Sequence, residues 1–115
     1  MNTTYMKRGD TFPSLETTLK DENGPVRLVG AVVTCRISKA GTGNIGIERQ
    51  ATIVYPQTGS GLGKCFHEFL PEDTCNVGTY IVEWHVLFAN GLEATFPRSS
   101  NPSDFNILII QEIIG

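Results

Sequence analysis

The sequence predicts an all-β protein: a sandwich of two antiparallel sheets, with roughly seven or eight strands, in a single domain over residues 1–115. Apolar residues alternate with polar ones along most of the chain, as in half-buried strands, and helical periodicity is nearly absent. Twelve Gly and six Pro supply turns at short intervals. A hydrophobic fraction of 40% in 115 residues is enough to build one core.

Short alternating runs between turn residues predict the strands in the first part of the chain. The polar segment at about residues 1–6 is expected to form a short N-terminal arm. Residues 45–48 fit either a short strand or the end of a Gly-rich connection that begins at Lys39. The predicted strands are residues 15–20, 31–38, 51–55 and 61–69.

The strongest strand pattern covers residues 80–88, where Val82, Trp84 and Val86 alternate with a mixed second face. This mixture predicts a central, half-covered strand. The dipeptide Asn90-Gly91 predicts a hairpin with a type I′ turn, in which both central residues have positive φ. Its second strand covers residues 92–96, and the last predicted strand covers residues 105–113.

A Gly precedes Tyr80 by two positions at the start of the central strand. This arrangement resembles the tyrosine corner of immunoglobulin-like sandwiches, and it predicts that the Tyr80 hydroxyl bonds to backbone near Asp73 or Thr74. Trp84 would then fill the core, with Phe96 as a further core residue. The alternative is that Tyr80 and Trp84 are ordinary strand aromatics.

Consecutive apolar residues in the last strand predict an interface. Residues 107–110 are all Ile or Leu, whereas one face of a sandwich strand needs apolar residues only at alternate positions. The apolar side chains on the second face should be covered by another chain or by the N-terminal segment, unless the strand is central and fully buried in the monomer. The predicted interface residues are Tyr5, Met6, Ile107, Ile109 and Ile113.

An odd number of cysteines argues against a secreted disulfide scaffold. We expect Cys35, Cys65 and Cys75 to be free and buried, with a disulfide or a metal site as the alternative. His67 lies two residues from Cys65, so both side chains share one strand face. A zinc site would need two further ligands, which the sequence does not clearly offer. We therefore predict no metal and no cofactor.

The charge pattern disfavours nucleic acid and membrane as partners. The net charge is −3, and no basic run is present to bind a phosphate backbone. The first ten residues lack the apolar stretch of a signal peptide. The longest apolar run, residues 107–110, is too short to span a bilayer.

The segment at residues 59–64 has the composition of a phosphate-binding loop but not its pattern. Thr58 stands where the first Gly is required, and Cys65 stands where Ser or Thr should follow the Lys. The flanking pattern is that of strands, so we interpret the segment as a Gly-rich turn.

The tripeptide Arg8-Gly9-Asp10 matches a cell-adhesion motif. Three residues match by chance often, and nothing indicates secretion. We interpret the tripeptide as a bend before the first core strand, with Gly9 allowing the turn and Asp10 capping it.

No group of residues has the pattern of a catalytic site, and we expect a protein that is not an enzyme. The adjacent acidic residues lie in predicted turns, where carboxylates are usually solvated. Neither His67 nor His85 has an evident acidic partner, and no nucleophile elbow is present.

Together these residues resemble the N-terminal domain of the phage baseplate upper protein family. The likeness extends from about Lys7 to Pro97, and it depends on the order and spacing of short motifs. The matching motif positions are Arg8, Gly9, Asp10, Thr11, Pro13, Leu19, Asp21, Gly24, Pro25, Val26, Leu28, Gly30, Ala31, Ala51, Ile53, Val54, Pro56, Gly59, Pro71, Asp73, Thr74, Gly78, Tyr80, Glu83, Trp84, Phe88, Gly91, Thr95, Phe96 and Pro97.

The resemblance implies an immunoglobulin-like domain of a tailed-phage virion, assembled in the host cytoplasm and docked to other phage structural proteins in symmetric copies. Proteins of that family continue well past this domain, and the connection at residues 39–49 is longer here than expected. We therefore expect a tail or baseplate component rather than a whole organiser. Capsid decoration, a neck position, or a carbohydrate- or receptor-binding adhesion domain in contact with the host surface are the alternatives.

Overall fold

The computed structural model describes residues 2–41, 45–97 and 106–113 and is all-β. The described residues form eleven strands and two short 3₁₀ helices, Gly59–Gly61 and Pro71–Thr74. The strands are β1 (Asn2–Lys7), β2 (Leu15–Thr18), β3 (Lys20–Asp21), β4 (Gly24–Pro25), β5 (Val32–Lys39), β6 (Ile45–Gln50), β7 (Thr52–Ile53), β8 (Lys64–His67), β9 (Gly78–Leu87), β10 (Glu93–Phe96) and β11 (Asn106–Gln111).

Strand β9 is the centre of the larger, six-stranded sheet, as its mixed second face predicted. One edge of β9 pairs with β5 from Tyr80 to Leu87. Its other edge pairs first with β11 and then, from Trp84 onward, with the hairpin strand β10. Strand β6 continues the sheet beyond β5, so the ambiguous segment near Ile45 is a strand.

Strand β1 is the border strand next to β11 and runs parallel to it. The register places Thr3 beside Ile107 and Tyr5 beside Ile109. The larger sheet is therefore mixed, and the prediction of two purely antiparallel sheets is wrong. The segment expected as an arm forms a paired strand, because its alternating residues complete the exposed edge of the apolar last strand.

A smaller sheet of three strands, in the order β2-β8-β7, covers one face of the larger sheet. Strands β3 and β4 form a separate short hairpin. The core lies between the sheets and includes Trp84 at 1% exposure. Its buried apolar residues are Met6, Leu15, Leu19, Leu28, Val33, Cys35, Ile37, Ala51, Cys65, Phe69, Tyr80, Val82, Trp84, Val86, Phe96, Leu108 and Ile110.

The predicted hairpin after β9 is present, but its turn is not of type I′. Gly91 has φ of 88°, whereas no described residue other than Gly has positive φ. The Asn90 side chain accepts a hydrogen bond from the Leu92 N–H at 3.0 Å, and the Phe88 N–H donates to the Leu92 carbonyl at 2.8 Å. Since Gly91 alone supplies the left-handed conformation, the connection is a longer loop of the three-residue kind.

The buried amide of Gln57 organises the Gly-rich turn before β8. Its Oε1 accepts the N–H groups of Leu28 and Gly63, both at 3.0 Å, and its Nε2 donates to the Gly61 carbonyl at 2.9 Å. Gly63 has φ of 77°, and a Cβ there would lie 2.8 Å from the Leu19 carbonyl oxygen. The positive φ and the close approach of the Leu19 backbone therefore require glycine at position 63.

We expect Gln57→Ala to lower the free energy of unfolding by about 2–4 kcal/mol, because two buried N–H groups lose their acceptor. Urea unfolding followed by circular dichroism measures the change. Gln50→Ala, at an exposed position of β6, is the matched control and should cost less than about 0.5 kcal/mol. Equal effects of the two substitutions would contradict the role of Gln57.

Candidate interaction surface

The outer face of the six-stranded sheet carries an apolar patch where β1, β11 and β9 lie side by side. The register aligns Thr3, Ile107 and Ile81 in one row, and Tyr5, Ile109 and Thr79 in the next. Neither row contains a charged side chain. We define the outer apolar patch as Tyr5, Ile81, Ile107 and Ile109.

The other half of the same face carries charged and polar pairs, with the apolar Val32 and Leu87 at its end. Arg36 pairs with Glu48 at 3.4 Å across β5 and β6. His85 lies 2.8 Å from Glu93 and 3.3 Å from Thr95 across β9 and β10. The outer apolar patch is therefore bounded by charged and hydroxyl side chains on one side, as in a protein-binding surface with a polar rim.

Three of the five predicted interface residues come together in the outer apolar patch. Tyr5 is 63% exposed, while Ile107 and Ile109 are partly buried by their neighbours. Met6 lies on the inner face at 3% exposure and belongs to the core, because side chains alternate along β1. Ile113 is exposed beyond the end of β11 and lies outside the patch.

Sequence reasoning missed Ile81 as a member of the patch. The sequence shows that the second face of β9 mixes polar and apolar residues, but it does not show which residues of the adjacent strands lie beside them. The β9–β11 register places Ile81 directly beside Ile107. The alternation along β9 indicates which face Ile81 occupies. Only the strand order shows which residues lie beside it on that face.

The predicted corner and core residues are all buried. Tyr80 is 8% exposed, Trp84 1% and Phe96 2%. The Tyr80 hydroxyl donates to the Asn76 carbonyl at 2.9 Å, so the acceptor lies two residues past Thr74. Burial also raises the pKa of Tyr80, which favours the neutral hydroxyl that donates this bond.

The Arg8-Gly9-Asp10 tripeptide and the Pro-x-Asp-Thr motif at residues 71–74 meet at one corner of the sandwich. The Gly9 N–H donates to the Thr74 carbonyl at 3.1 Å, and the Thr74 hydroxyl donates to the Asp10 carbonyl at 2.8 Å. Asp10 also accepts the Lys7 N–H at 3.0 Å, which confirms its capping role. Arg8 forms an ion pair with Glu112 at 2.8 Å. The tripeptide thus has a structural role in the bend.

A buried polar cluster lies near that corner, and sequence reasoning did not find it. Asp73 Oδ1 accepts a hydrogen bond from Arg49 Nη2 at 3.0 Å, and its Oδ2 accepts the Leu70 N–H at 2.9 Å. His67 Nε2 lies 3.3 Å from Asp73 Oδ2, outside hydrogen-bonding geometry. The expectation that neither His67 nor His85 has an acidic partner is wrong. The 3₁₀ helix Pro71–Thr74 turns Asp73 back toward β8, and the β9–β10 hairpin brings Glu93 to His85.

The chemistry of this cluster is that of a neutral imidazole beside a paired carboxylate. Burial lowers the pKa of His67, and the Asp73 carboxylate opposes this shift without overcoming it. The imidazole also contacts Phe69 edge-to-face, with ring centroids 4.9 Å apart. His67 is therefore packed as a neutral core residue at pH 7.

Cys35 and Cys65 are free and buried, as expected, whereas Cys75 is free but exposed. Burial raises the pKa of both buried thiols to about 12, so each remains protonated at neutral pH. A protonated thiol is a poor nucleophile and a poor metal ligand. Cys75 lies in the loop after the 3₁₀ helix, and its thiol donates to the Glu72 carbonyl at 3.1 Å.

Among residues 2–41, 45–97 and 106–113, no group of three or more His, Cys, Asp or Glu side chains could hold a metal ion. Within the same residues, no helix is long and apolar enough to cross a membrane.

In the Gly-rich turn, the Gly61 N–H donates to the Thr58 carbonyl at 3.1 Å and the Gly63 N–H to Gln57. These two backbone N–H groups therefore already donate hydrogen bonds within the protein.

Comparison with known proteins does not assign the chain to a family. No model of a protein family matches it, and no curated protein matches it. The functional interpretation therefore depends on the surface described above and on the motif resemblance.

We expect stability to fall on acidification partly because of His67. Its pKa is lower in the folded protein than the ordinary value of 6.5, so the unfolded chain binds the proton more readily. This contribution is fully present above pH 6.5 and is lost as the pH falls through the folded pKa. Urea unfolding of wild type and His67→Gln, each at pH 8 and pH 5, measures it. Equal losses on acidification in the two proteins would contradict the assignment.

We expect Asp73→Asn to lower the free energy of unfolding by about 1–2 kcal/mol, because the charge-assisted hydrogen bond from Arg49 to the buried Asp73 carboxylate is replaced by a weaker neutral one. Thermal and urea unfolding measure the change. Glu72→Gln is the matched control, since Glu72 is 68% exposed and 3.7 Å from Arg49, and it should cost under about 0.5 kcal/mol. A control variant as unstable as Asp73→Asn would argue against this pairing.

Proposed function

We propose that this chain is a non-enzymatic structural protein of a tailed-phage virion, docking to other virion proteins as part of the tail or baseplate. The observation that carries the proposal is the outer apolar patch, because three partly exposed isoleucines beside the exposed Tyr5 form an apolar surface of the kind that binds proteins. The motif resemblance supports the virion setting.

The shape of the patch supports contact with a folded partner. Four side chains on three neighbouring strands form one continuous surface of the sheet, with Tyr5 the most exposed. Tyr and Ile side chains bury apolar area and, on a rigid sheet, lose little conformational freedom on binding. Strand β1 is also the border strand next to the patch, and no further strand among the described residues pairs with it.

Symmetric copies would strengthen attachment in such a particle. Each copy contributes a small apolar contact, and several linked contacts bind much more tightly than one. An immunoglobulin-like topology belongs to this proposal. A capsid or neck position, and a carbohydrate- or receptor-binding adhesion domain in contact with the host surface, are the alternatives to it.

Mass spectrometry of purified particles from the phage that encodes the chain tests this function. We expect the protein in the particles, at a copy number set by their symmetry. Its absence from purified particles while it accumulates in the lysate would overturn the proposal.

A substitution in the patch tests the docking surface itself. We expect Ile109→Lys to reduce incorporation by about tenfold or more, because a charge would be buried in an apolar contact. Thr95→Lys is the matched control, since it adds the same charge to the polar half of the same face. Both variants should retain the wild-type circular dichroism spectrum. Normal incorporation of the Ile109→Lys variant would exclude the patch as the docking surface.

A further inference from the structure

The outward edge of β1 has a defined set of backbone hydrogen-bonding groups. The Arg8 N–H donates to the Gln111 carbonyl at 2.8 Å, so the backbone of Arg8 faces β11. Successive residues of a strand direct their N–H and C=O groups to opposite sides. The even-numbered positions of β1 therefore face β11, and the backbone groups of Thr3, Tyr5 and Lys7 face away from it.

The turn after β1 uses the outward groups of Lys7. Its N–H donates to the Asp10 carboxylate at 3.0 Å, and its carbonyl accepts the Asp10 N–H at 3.0 Å. These two bonds agree with the outward direction of the odd-numbered positions. Thr3 and Tyr5 thus present two N–H donors and two carbonyl acceptors that have no partner among the described residues.

The edge of β1 also lacks the features that keep border strands from pairing with other chains. At the opposite border of the same sheet, β6 has an irregularity in register at Gly46 and carries the charged residues Glu48 and Arg49. Bulges and charges of this kind hinder edge-to-edge contact. Strand β1 contains neither Gly nor Pro, and its first charged residue is Lys7 at its end. Its edge is therefore open to the addition of a strand.

The free positions of β1 are complementary to the same positions of a second copy. In an antiparallel ladder, two residues that form a hydrogen-bonded pair exchange both of their bonds. When Thr4 lies opposite Thr4 of the second copy, Thr3 of each copy lies opposite Tyr5 of the other, and every free group is satisfied. A register moved toward Lys7 would place Thr3 opposite groups that Asp10 already uses. A register moved the other way would place Tyr5 opposite position 1, beyond the end of β1.

We propose that two copies of this chain pair through β1, antiparallel and in register about Thr4, to form a two-fold symmetric dimer. Each copy supplies the donors and acceptors that the other lacks, so the contact closes on itself. The two six-stranded sheets become one continuous sheet. A single short strand buries less than the roughly 1,200 Å² of standard stable interfaces, so we expect a dimer that dissociates on dilution.

The pairing joins the outer apolar patches of the two copies. On the outer face, Tyr5 of each copy lies beside Thr3 of the other, and pairs of an aromatic and a β-branched residue across strands stabilise a sheet. The row that contains Tyr5 and Ile109 then continues into Thr3 and Ile107 of the second copy. The contact is formed by the strand edge and leaves the patch uncovered, so the dimer does not rest on the proposed virion function.

Sedimentation equilibrium of the full chain, from micromolar to millimolar concentration, tests the association. We expect a reversible monomer–dimer equilibrium in which the monomer has a mass of 12.6 kDa. Thr3→Pro removes an outward N–H without removing a bond to β11, and it should weaken the dimer about tenfold or more while the circular dichroism spectrum stays that of the wild type. Thr3→Val keeps the N–H and is the matched control, with a dissociation constant within about twofold of the wild-type value. A monomer at every concentration, or a dimer that Thr3→Pro does not weaken, would overturn the proposal.

The Ile109→Lys variant separates this contact from the outer apolar patch. Position 109 lies on β11 and contributes nothing to the edge of β1. We therefore expect Ile109→Lys to leave the dimer intact. Loss of the dimer in Ile109→Lys together with its retention in Thr3→Pro would place the contact on the outer face and contradict edge pairing.

Disulfide trapping tests the register and does not require Thr3→Pro to fold. Thr4→Cys places two thiols opposite each other at the two-fold axis, in a pair whose Cα atoms are about 4.5 Å apart, within the range of a disulfide. Thr3→Cys is the matched control, because its two thiols are offset by two residues along the strands. With copper phenanthroline as the oxidant, we expect a covalent dimer to form about tenfold faster in Thr4→Cys than in Thr3→Cys or in the wild type, all of which contain the exposed Cys75. Equal rates in the three proteins would refute pairing about Thr4.

Discussion

The pairing of β9 on both edges, combined with burial of one of its faces, is the constraint on which the rest of the structure depends. A ten-residue strand with Val82, Trp84 and Val86 on one side must be covered by a second layer. One edge of β9 pairs with β5 along most of its length, whereas no single described strand pairs along the whole of the other edge. The other edge is divided between β10 and β11, and the β11 half carries the outer apolar patch.

The motif residues that carry the family resemblance mainly hold the corners of this fold. Gly9 and Thr74 tie the first bend to the 3₁₀ helix, and Asp73 closes that helix while pairing with Arg49. Three of the four patch residues lie outside the resembling stretch, which ends near Pro97. These motifs therefore describe a scaffold, and most of the surface proposed to bind a partner lies on β1 and β11.

Alternation along the sequence was sufficient to predict the all-β class, the central position of β9 and the burial of Tyr80, Trp84 and Phe96. It could not predict which strands are neighbours, since register depends on contacts between distant residues. For that reason the parallel pairing of β1, the inward side of Met6 and the membership of Ile81 came only from the structure. The contact between His67 and Asp73 depends on the path of one 3₁₀ turn, which composition does not specify.

The parallel pairing of the two terminal strands has a mechanical consequence. Because β1 and β11 run in the same direction, Asn2 and Gln111 lie at opposite ends of the paired strands. Tension transmitted between these residues acts along the strands and loads their evenly spaced backbone hydrogen bonds together rather than one after another. Rupture under such shear requires all of those bonds to fail in a single step, so the domain is built to resist pulling along this axis far better than peeling of either strand sideways.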